Sequence, residues 1–526
     1  MPAPKELLAE LSIGNPRETW QRLRQLGGDV AQVLPSSLPV LLATSLSLPP
    51  AAAGNLDEAL PMVGALLARE GSSEPDVVIG MHVVSGAELV ASLTLGDAAK
   101  LRRLELGPRL VRLLPAPGAP EFNGALGVSG NYLLLATRVE ALTLAGRFVA
   151  ESLPRRASSE VGLRLRAGEQ VVSGSIAGVL RQAWQARRAA LAARDRAERE
   201  AKGRPPDFAD PEVLLSGIDS VVESGLGVLE SARELVLEVV PEADRLRAEL
   251  SLAPGADGPA ALLASELVTG SLAPLLALPA STRAALLVRD SAAQDGESAV
   301  GAGAARLFGE RLQPQQAARL TKTLDALARA RSGATVIGVV DAPAPALVVA
   351  CEVTDADAFS SAVSAALGLV ELPAVDNWLA GTIGRPRLTL GKPAAGLSRA
   401  RLSLLAAARS PGLPLPTELR LAWEAREGVG HVVVSPDPKL GPAALAEGPR
   451  LGESNWLTRS QSERGGTVAA ALYIEAGLLL GTSRQVRSKP LMDEQVLLSF
   501  GKRGERVAVT LEAAPGALRA LAASFR

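Results

Sequence analysis

The sequence predicts an α+β protein of two tandem related domains, each a largely antiparallel sheet covered by helices, with a long helical hairpin inserted in the first. Three observations predict it. A chain of 526 residues exceeds the roughly 250–300 residues that one hydrophobic core serves. Two hairpin strands alternate, Leu246, Ala248, Leu250, Leu252 and Val507, Val509, Leu511, Ala513, as expected where one sheet face meets the core and the other is wet or helix-covered. Finally, five landmarks recur in the same order in both halves of the chain.

The first landmark pairs "VLPSSLPVLLATSL" (33–46) with "ALPASTRAALLVRD" (277–290), each read as a Leu-Pro step into an apolar strand. The second is a strand running into a helix, "IGMHVVSGAELVASL" against "VVACEVTDADAFSSAV". Capping boxes are expected at both junctions, Ser85 with Glu88 and Thr354 with Asp357. A metal-binding reading of Asp355 and Asp357 would need further ligands, and none is in view. The third pairs "SGNYLLLATRVEAL" with "GVGHVVVSPDPKLGPAAL", a Gly-led turn, a short strand and a helix start. The fourth sets "QVVSGSIAGVL" against "TVAAALYIEAGLLL", with no settled secondary structure. The fifth is a hairpin followed by a helix, "LVLEVVPEADRLRAELSLAPG" and "VLLSFGKRGERVAVTLEAAPG". The division expected is 1–258 and 259–526, the boundary falling within Pro254 to Pro274.

The first half also carries an arm, residues 175–233. Ser175 to Lys202 is rich in helix formers and stops at Gly203 before Pro205 and Pro206; a second helix starts at Asp210 with Pro211 in its first turn. At 1.5 Å per residue the first helix reaches about 42 Å. Ion pairs such as Arg194 with Glu198 suit a solvated hairpin, and Arg187, Arg188 and Arg194 are its candidate partner-binding residues.

Composition narrows the function classes. Apolar residues are 47% and charged ones 21%, as in folded chains, while aromatics are 3%, so stacking platforms for bases or sugars are scarce. With 55 basic and 56 acidic residues and no long single-sign run, no nucleic-acid partner is expected. Cys351 is the single cysteine; it allows no intramolecular disulfide and no cysteine-based zinc site, and its strand "LVVACEV" reads as buried. No run reaches the roughly 18 apolar residues of a membrane helix: Leu267 to Val288 contains Arg283 and two prolines, and "TVAAALYIEAGLLLG" is interrupted by Glu475. "MPAPKELLAELSIGNP" lacks the basic and apolar regions of a signal peptide.

Catalytic signatures are missing, so no enzyme, no cofactor and no catalytic or metal residue is expected. The two histidines, His82 and His431, lie in strand patterns; no HExxH, GxSxG or GxxxxGK[ST] motif occurs, and "AVGAGAARLFGE" lacks the third glycine of a dinucleotide loop. Dispersed carboxylates of a hydrolase need no local motif. Among Trp20, Trp184, Trp378, Trp423 and Trp456, the polar contexts "DNWLAG" and "ESNWLTRS" make Trp378 and Trp456 candidates for a binding surface.

The Leu-Pro steps, the strand "GNYLLLA" followed by a helix, and the terminal hairpin with "PGALRALAASF" resemble a domain-of-unknown-function group of bacterial envelope (lipo)proteins from GC-rich, myxobacteria-like genomes. The resemblance spans most of the chain and implies an envelope location, a secretion or lipoprotein leader and a membrane tether through its lipid anchor; Pro2 to Lys5 would suit a segment just after such a leader. It implies no site residues. The function expected is non-enzymatic binding or scaffolding with a protein partner in the cell envelope. Two other readings stay open: a carrier of an apolar ligand such as a lipid, and a hydrolase with dispersed carboxylates. A cytoplasmic location is the alternative to the envelope.

Overall fold

The computed structural model describes residues 1–28, 31, 33–45, 54–69, 72, 74–95, 101–115, 124–202, 211–289, 299–341, 344–382, 384–393, 396–405, 416–479 and 494–524. They form two compact units of mixed helix and antiparallel sheet. The first comprises Met1–Ala177, Leu229–Ala260 and Ala508–Arg526, the second Gly178–Val228 and Ala261–Val507. The break after Ala260 lies two residues beyond the 258/259 division read from the sequence. Chain order, however, puts 178–228 with the first half and 508–526 with the second, whereas their contacts group them the other way.

The first unit holds β1 (Leu7–Gly14), β2 (Met62–Leu67), β3 (Asp76–His82), β4 (Leu101–Gly107), β5 (Leu110–Pro115), β6 (Ala125–Ser129), β7 (Tyr132–Ala136), β8 (Gly162–Gly168), β9 (Ala232–Pro241) and β10 (Leu246–Pro254). Antiparallel pairing places them in the order β4-β5-β6-β7-β3-β2-β1-β8-β9-β10. The second unit holds β11 (Thr282–Arg289), β12 (Arg331–Val340), β13 (Ala346–Val353), β14 (Arg385–Leu390), β15 (Ser398–Leu405), β16 (Glu418–Arg426), β17 (Val429–Ser435), β18 (Val468–Glu475) and β19 (Gln495–Arg503). Their order is β14-β15-β16-β17-β13-β12-β11-β18-β19, again antiparallel throughout. Adding ten to each strand number of the first series, β4 through β9, reproduces the second. The last strand is β20 (Arg506–Ala513); its residues from Ala508 belong to the first unit, where the strand pairs with β10.

Local chemistry sets the helix starts. In α1 (Pro16–Gly27) the Asn15 side chain accepts from the Glu18 amide at 3.3 Å, and Pro16 sits in the first turn, where no amide is needed. Val33–Leu46 is not the expected strand: Leu38–Ser45 is helix α2, and Leu46 lies outside the described residues. Pro39 falls in the first turn, where proline is tolerated, and Ser37 accepts from the Val40 amide at 3.4 Å. Its counterpart, Leu278-Pro279, does lead into β11. Helix α3 (Gly86–Thr94) is capped by Ser85 as expected, its hydroxyl accepting from the Glu88 amide at 3.3 Å. Helix α4 (Val139–Glu151) follows β7 and packs Ala141, Leu142, Ala145, Phe148 and Val149 onto the sheet with Val63, Ala65 and Leu134.

The arm is α5 (Ala177–Lys202), entered through a π-turn at Val171–Ile176, and α6 (Pro211–Glu230); residues 203–210, including the expected stop, lie outside the described residues. Residues Ala232 and Arg233, assigned to the arm from the sequence, already belong to β9. In the fourth landmark the two segments differ: 170–180 is this π-turn and the start of α5, whereas Val468–Glu475 is β18. The strand in the place of β18 is β8, a short stretch whose two arginines, Arg164 and Arg166, interrupt the apolar pattern.

The second unit continues with α7 (Ala299–Phe308), α8 (Pro314–Ala330), α9 (Ala356–Leu367), α10 (Pro373–Thr382) and α11 (Asn455–Arg464); α12 (Pro515–Ser524) closes the chain. The cap of α9 is Asp355 rather than Thr354: its carboxylate accepts from the amides of Asp357 and Ala358, both at 2.9 Å, being one residue closer to the first turn. One face of the second unit's sheet, with Ala285, Leu287, Val336, Val348, Tyr473 and Leu497, is buried against Leu272, Leu275, Leu451 and Trp456.

The terminal hairpins meet the expectation only in part. Leu250, Val509 and Leu511, read as core residues, are 38–42% exposed, whereas their polar neighbours Glu249, Ser251, Thr510 and Glu512 are at most 8% exposed. Alternation does mark the strands, but their sidedness is mixed: Leu252, Val507 and Ala513 are buried as expected, while Glu249, Ser251, Thr510 and Glu512 also turn inward, Glu512 meeting the buried Arg245.

Candidate binding surface

Strand register lines up one aliphatic row across each sheet. In the second unit Val432, Val349, Ile337, Leu286, Leu472 and Leu498 face one another in succession on β17, β13, β12, β11, β18 and β19. Side chains alternate faces along a strand, so this row and its neighbours two residues away share the side opposite the core. Near β17 that side is covered by α9, whose Phe359 and Val363 pack with Val432 and Val434. Farther along it is open: Leu286, Val288, Ile337, Val339, Leu347, Leu472 and Leu498 are each 37–46% exposed.

The first unit has the same device. Leu135, Ile79, Gly64, Leu11, Leu165, Leu237 and Leu250 stand in register on β7, β3, β2, β1, β8, β9 and β10. Strand for strand these are the positions of the second unit's row. The part on β7 and β3 is packed with Leu89, Leu93 and Leu133, while Leu11, Leu165 and Leu237 are half-buried and Leu250 is exposed. The opposite side of β1 and β8 is charged: Arg156, Arg164 and Arg166 line a shallow cleft with Glu10 and Ser12, Arg156 meeting Glu10 at 3.0 Å and Arg164 meeting Glu238 at 3.5 Å.

The residues singled out from the sequence lie on three separate helices and are not brought together. Trp456 in α11 is buried, 6% exposed, and its indole N–H donates to the Gln495 Oε1 at 2.9 Å, so it is not part of a surface. Of the polar residues around it, Glu453, Asn455, Thr458 and Arg459 are exposed, whereas Ser454 and Ser460 are buried with it. Trp378 in α10 is half-buried, edge-on to Phe308 with ring centres 6.4 Å apart. Arg187 and Arg194 are exposed on α5. Arg188 is turned toward α6, its Nε donating to Asp219 at 2.7 Å; Trp184 donates to the other oxygen of the same carboxylate at 2.8 Å, and Arg188 before Trp184 holds that carboxyl below its usual range. The side chain of Glu198, the expected partner of Arg194, lies outside the described residues.

Several groups able to do chemistry have structural partners among the described residues. His82 Nδ1 lies 3.2 Å from Asp57, with Tyr132 edge-on at 5.4 Å. His431 is half-buried on β17, and burial lowers its pKa. Two carboxylates do converge, Asp341 and Glu475, but on Arg283 between them, at 3.4 and 3.2 Å. Burial raises both carboxyls, and Arg283 opposes the rise. Asp355 is spent on its helix cap. Among the described residues no three His, Cys, Asp or Glu side chains gather as a metal site, and no single helix is long and apolar enough to cross a membrane.

What the sequence reading missed is the open aliphatic row. Its signal is present: "AALLV" in β11, "VIGVV" in β12 and "AAALYI" in β18 are continuous apolar runs, as expected of strands apolar on both faces.

No family model and no curated protein matches the chain. Two solved structures, crystal forms III and IV of TP0453, align at 10% identity with 48% of this chain, covering 98% and 96% of their own length, with TM-scores of 0.24 and 0.22.

Proposed function

We propose that this is a non-enzymatic binding protein of the cell envelope, and that the open aliphatic rows are its contact surface. The observation that carries the reading is the row Ile337–Leu286–Leu472–Leu498, in register and uncovered. Contiguous exposed apolar area of this kind marks interaction sites in folded proteins. Polar groups of the kind catalysis employs serve caps and ion pairs instead, which favours binding over bond-making. The envelope setting rests on the family resemblance, and fractionation of cells producing the full-length chain tests it.

Tandem duplication belongs to the same proposal. Nine strands pair in the same order in both halves, and the row residues occupy equivalent positions. Two related surfaces in one chain follow from it.

The test is titration with an environment-sensitive naphthalene-sulfonate dye. Wild type should bind it at both rows, and Leu286→Glu with Leu472→Glu should remove about half of the bound dye while the circular dichroism spectrum stays unchanged. Equal binding by the variant removes the row as the surface.

A protein partner on the arm is a second reading, favoured by Val179, Leu180, Ile218 and Val221, all exposed on α5 and α6. Pull-down with and without Arg187–Pro206 tests it; unchanged recovery of a partner would set the arm aside.

A further inference from the structure

Resting on the binding reading above, we infer that the occupant of each aliphatic row is an acyl chain of a membrane phospholipid, with one such site in each unit. Size argues first. The exposed residues of the second unit's field, Leu347, Val339, Ile337, Leu286, Val288, Leu472 and Leu498, extend from β13 to β19, four spacings or about 19 Å, and over at most three rows two residues apart, about 14 Å. With a side-chain width added to each dimension its footprint is about 450 Å², where a stable protein interface needs about 800 Å² per partner. A second copy of this chain or a globular partner therefore gains too little here.

Composition argues next. Protein hot spots are enriched in Trp, Tyr and Arg and poor in Leu and Val. The exposed positions of the second unit's field, and Leu11, Leu165, Leu237 and Leu250 of the first, are Leu, Ile and Val, without Trp, Tyr or a charged side chain, and their backbone groups are paired in the sheet. A hydrocarbon chain asks for no hydrogen bond and no counterion, which is what the field offers. A free fatty acid would bring a carboxylate with no cation within the rows to receive it; a phospholipid leaves its headgroup in water beyond them.

Length agrees. The stretch Ile337–Leu286–Leu472–Leu498 crosses three strand spacings, about 14 Å, and one leaflet of a bilayer's hydrocarbon core is about 15 Å deep. In the first unit Leu11–Leu165–Leu237–Leu250 crosses the same three spacings.

Native mass spectrometry of the full chain, after incubation with dioleoyl-phosphatidylcholine vesicles and their removal by flotation, tests this. Wild type should carry up to two phospholipids. Leu286→Glu with Leu472→Glu should remove one, Leu165→Glu with Leu237→Glu the other, and all four together both. Serine at the same positions serves as the milder set if a glutamate variant loses its circular dichroism signal. Dye binding that is lost in the variants, with no phospholipid taken up by wild type, overturns the lipid assignment and leaves the surface reading intact. Uptake of palmitate but not phospholipid overturns the choice of source, and lipid retained by all variants overturns the site. Absence of both dye and lipid binding overturns both readings.

Discussion

A guanidinium nitrogen of Arg245, in the turn between β9 and β10, lies 3.2 Å from the carboxylate of Glu512 in β20, and the two side chains are 0% and 1% exposed. Glu242, three residues before Arg245, meets the same guanidinium at 2.8 Å. Glu512 is thus turned inward, while Leu250, Val509 and Leu511 on the other side of the strands are exposed and Leu252, Val507 and Ala513 beside them are buried. Removing one partner of a buried pair strands a charge and costs about 3–5 kcal/mol, whereas well-packed apolar replacements of both are often neutral. Arg245→Ala should therefore lower the urea-derived unfolding free energy by about that amount, and Arg245→Met with Glu512→Leu should recover most of it. A loss below about 1 kcal/mol in the single variant would mean the pair is solvated.

Asp76 sits buried at the start of β3 with Arg138 Nε donating to it at 2.8 Å and Thr137 at 3.0 Å. The Arg138 hydrogen bond first, and Thr137 after it, hold its carboxyl below the ordinary range against the opposing effect of burial. A carboxyl with a lowered folded pKa adds stability above its unfolded value, near 3.9, and loses it as pH falls through the folded value. Asp76→Asn should then be less stable than wild type at pH 7, and the gap should close as pH falls below about 4. A gap independent of pH, measured by urea titration at several pH values, would contradict the assignment.

Cys351, 4% exposed on β13, has its thiol pushed up to about 11, chiefly by burial. Thiolate is the reactive form, so alkylation of the native protein at pH 7.5 should run at least a hundredfold slower than in denaturant. Comparable rates in the two states would show the strand opening readily.

Trp456→Phe leaves the buried Gln495 Oε1 without its donor and should cost about 1–3 kcal/mol. In wild type Trp456 fluorescence should resist acrylamide, while half-buried Trp378 should be quenched more. Easy quenching of Trp456, isolated in a variant lacking the other tryptophans, would place it at the surface after all.

The α+β class and most strands were legible because periodicity and turns are local. Ser85 announces its helix, and the hairpins at 235–254 and 495–513 fall where polar turns separate apolar runs. What failed was sidedness. Alternation says that Leu250 and Glu249 face opposite ways but not which way is in, since that depends on what packs on each side, such as Arg245 from the turn meeting Glu512. Thr354 against Asp355, and the strand expected at Val33–Leu46, turn on one or two residues of capping geometry, where Ser37 and Pro39 fit a helix start as well as a strand approach. The rows were hidden for another reason: they exist only in the register of six strands scattered over residues 286–498 in one unit and of seven strands over 11–250 in the other.

The central claim is that Leu472 and Leu498 face outward on an uncovered field while Tyr473 and Leu497, their chain neighbours, do not. Hydroxyl-radical footprinting read residue by residue measures this directly. The account predicts strong modification of Leu286, Leu472 and Leu498, little at Leu287, Tyr473 and Leu497, and protection of the first three once phospholipid is bound. Protection of Leu472 equal to that of Tyr473 in the ligand-free chain would contradict it.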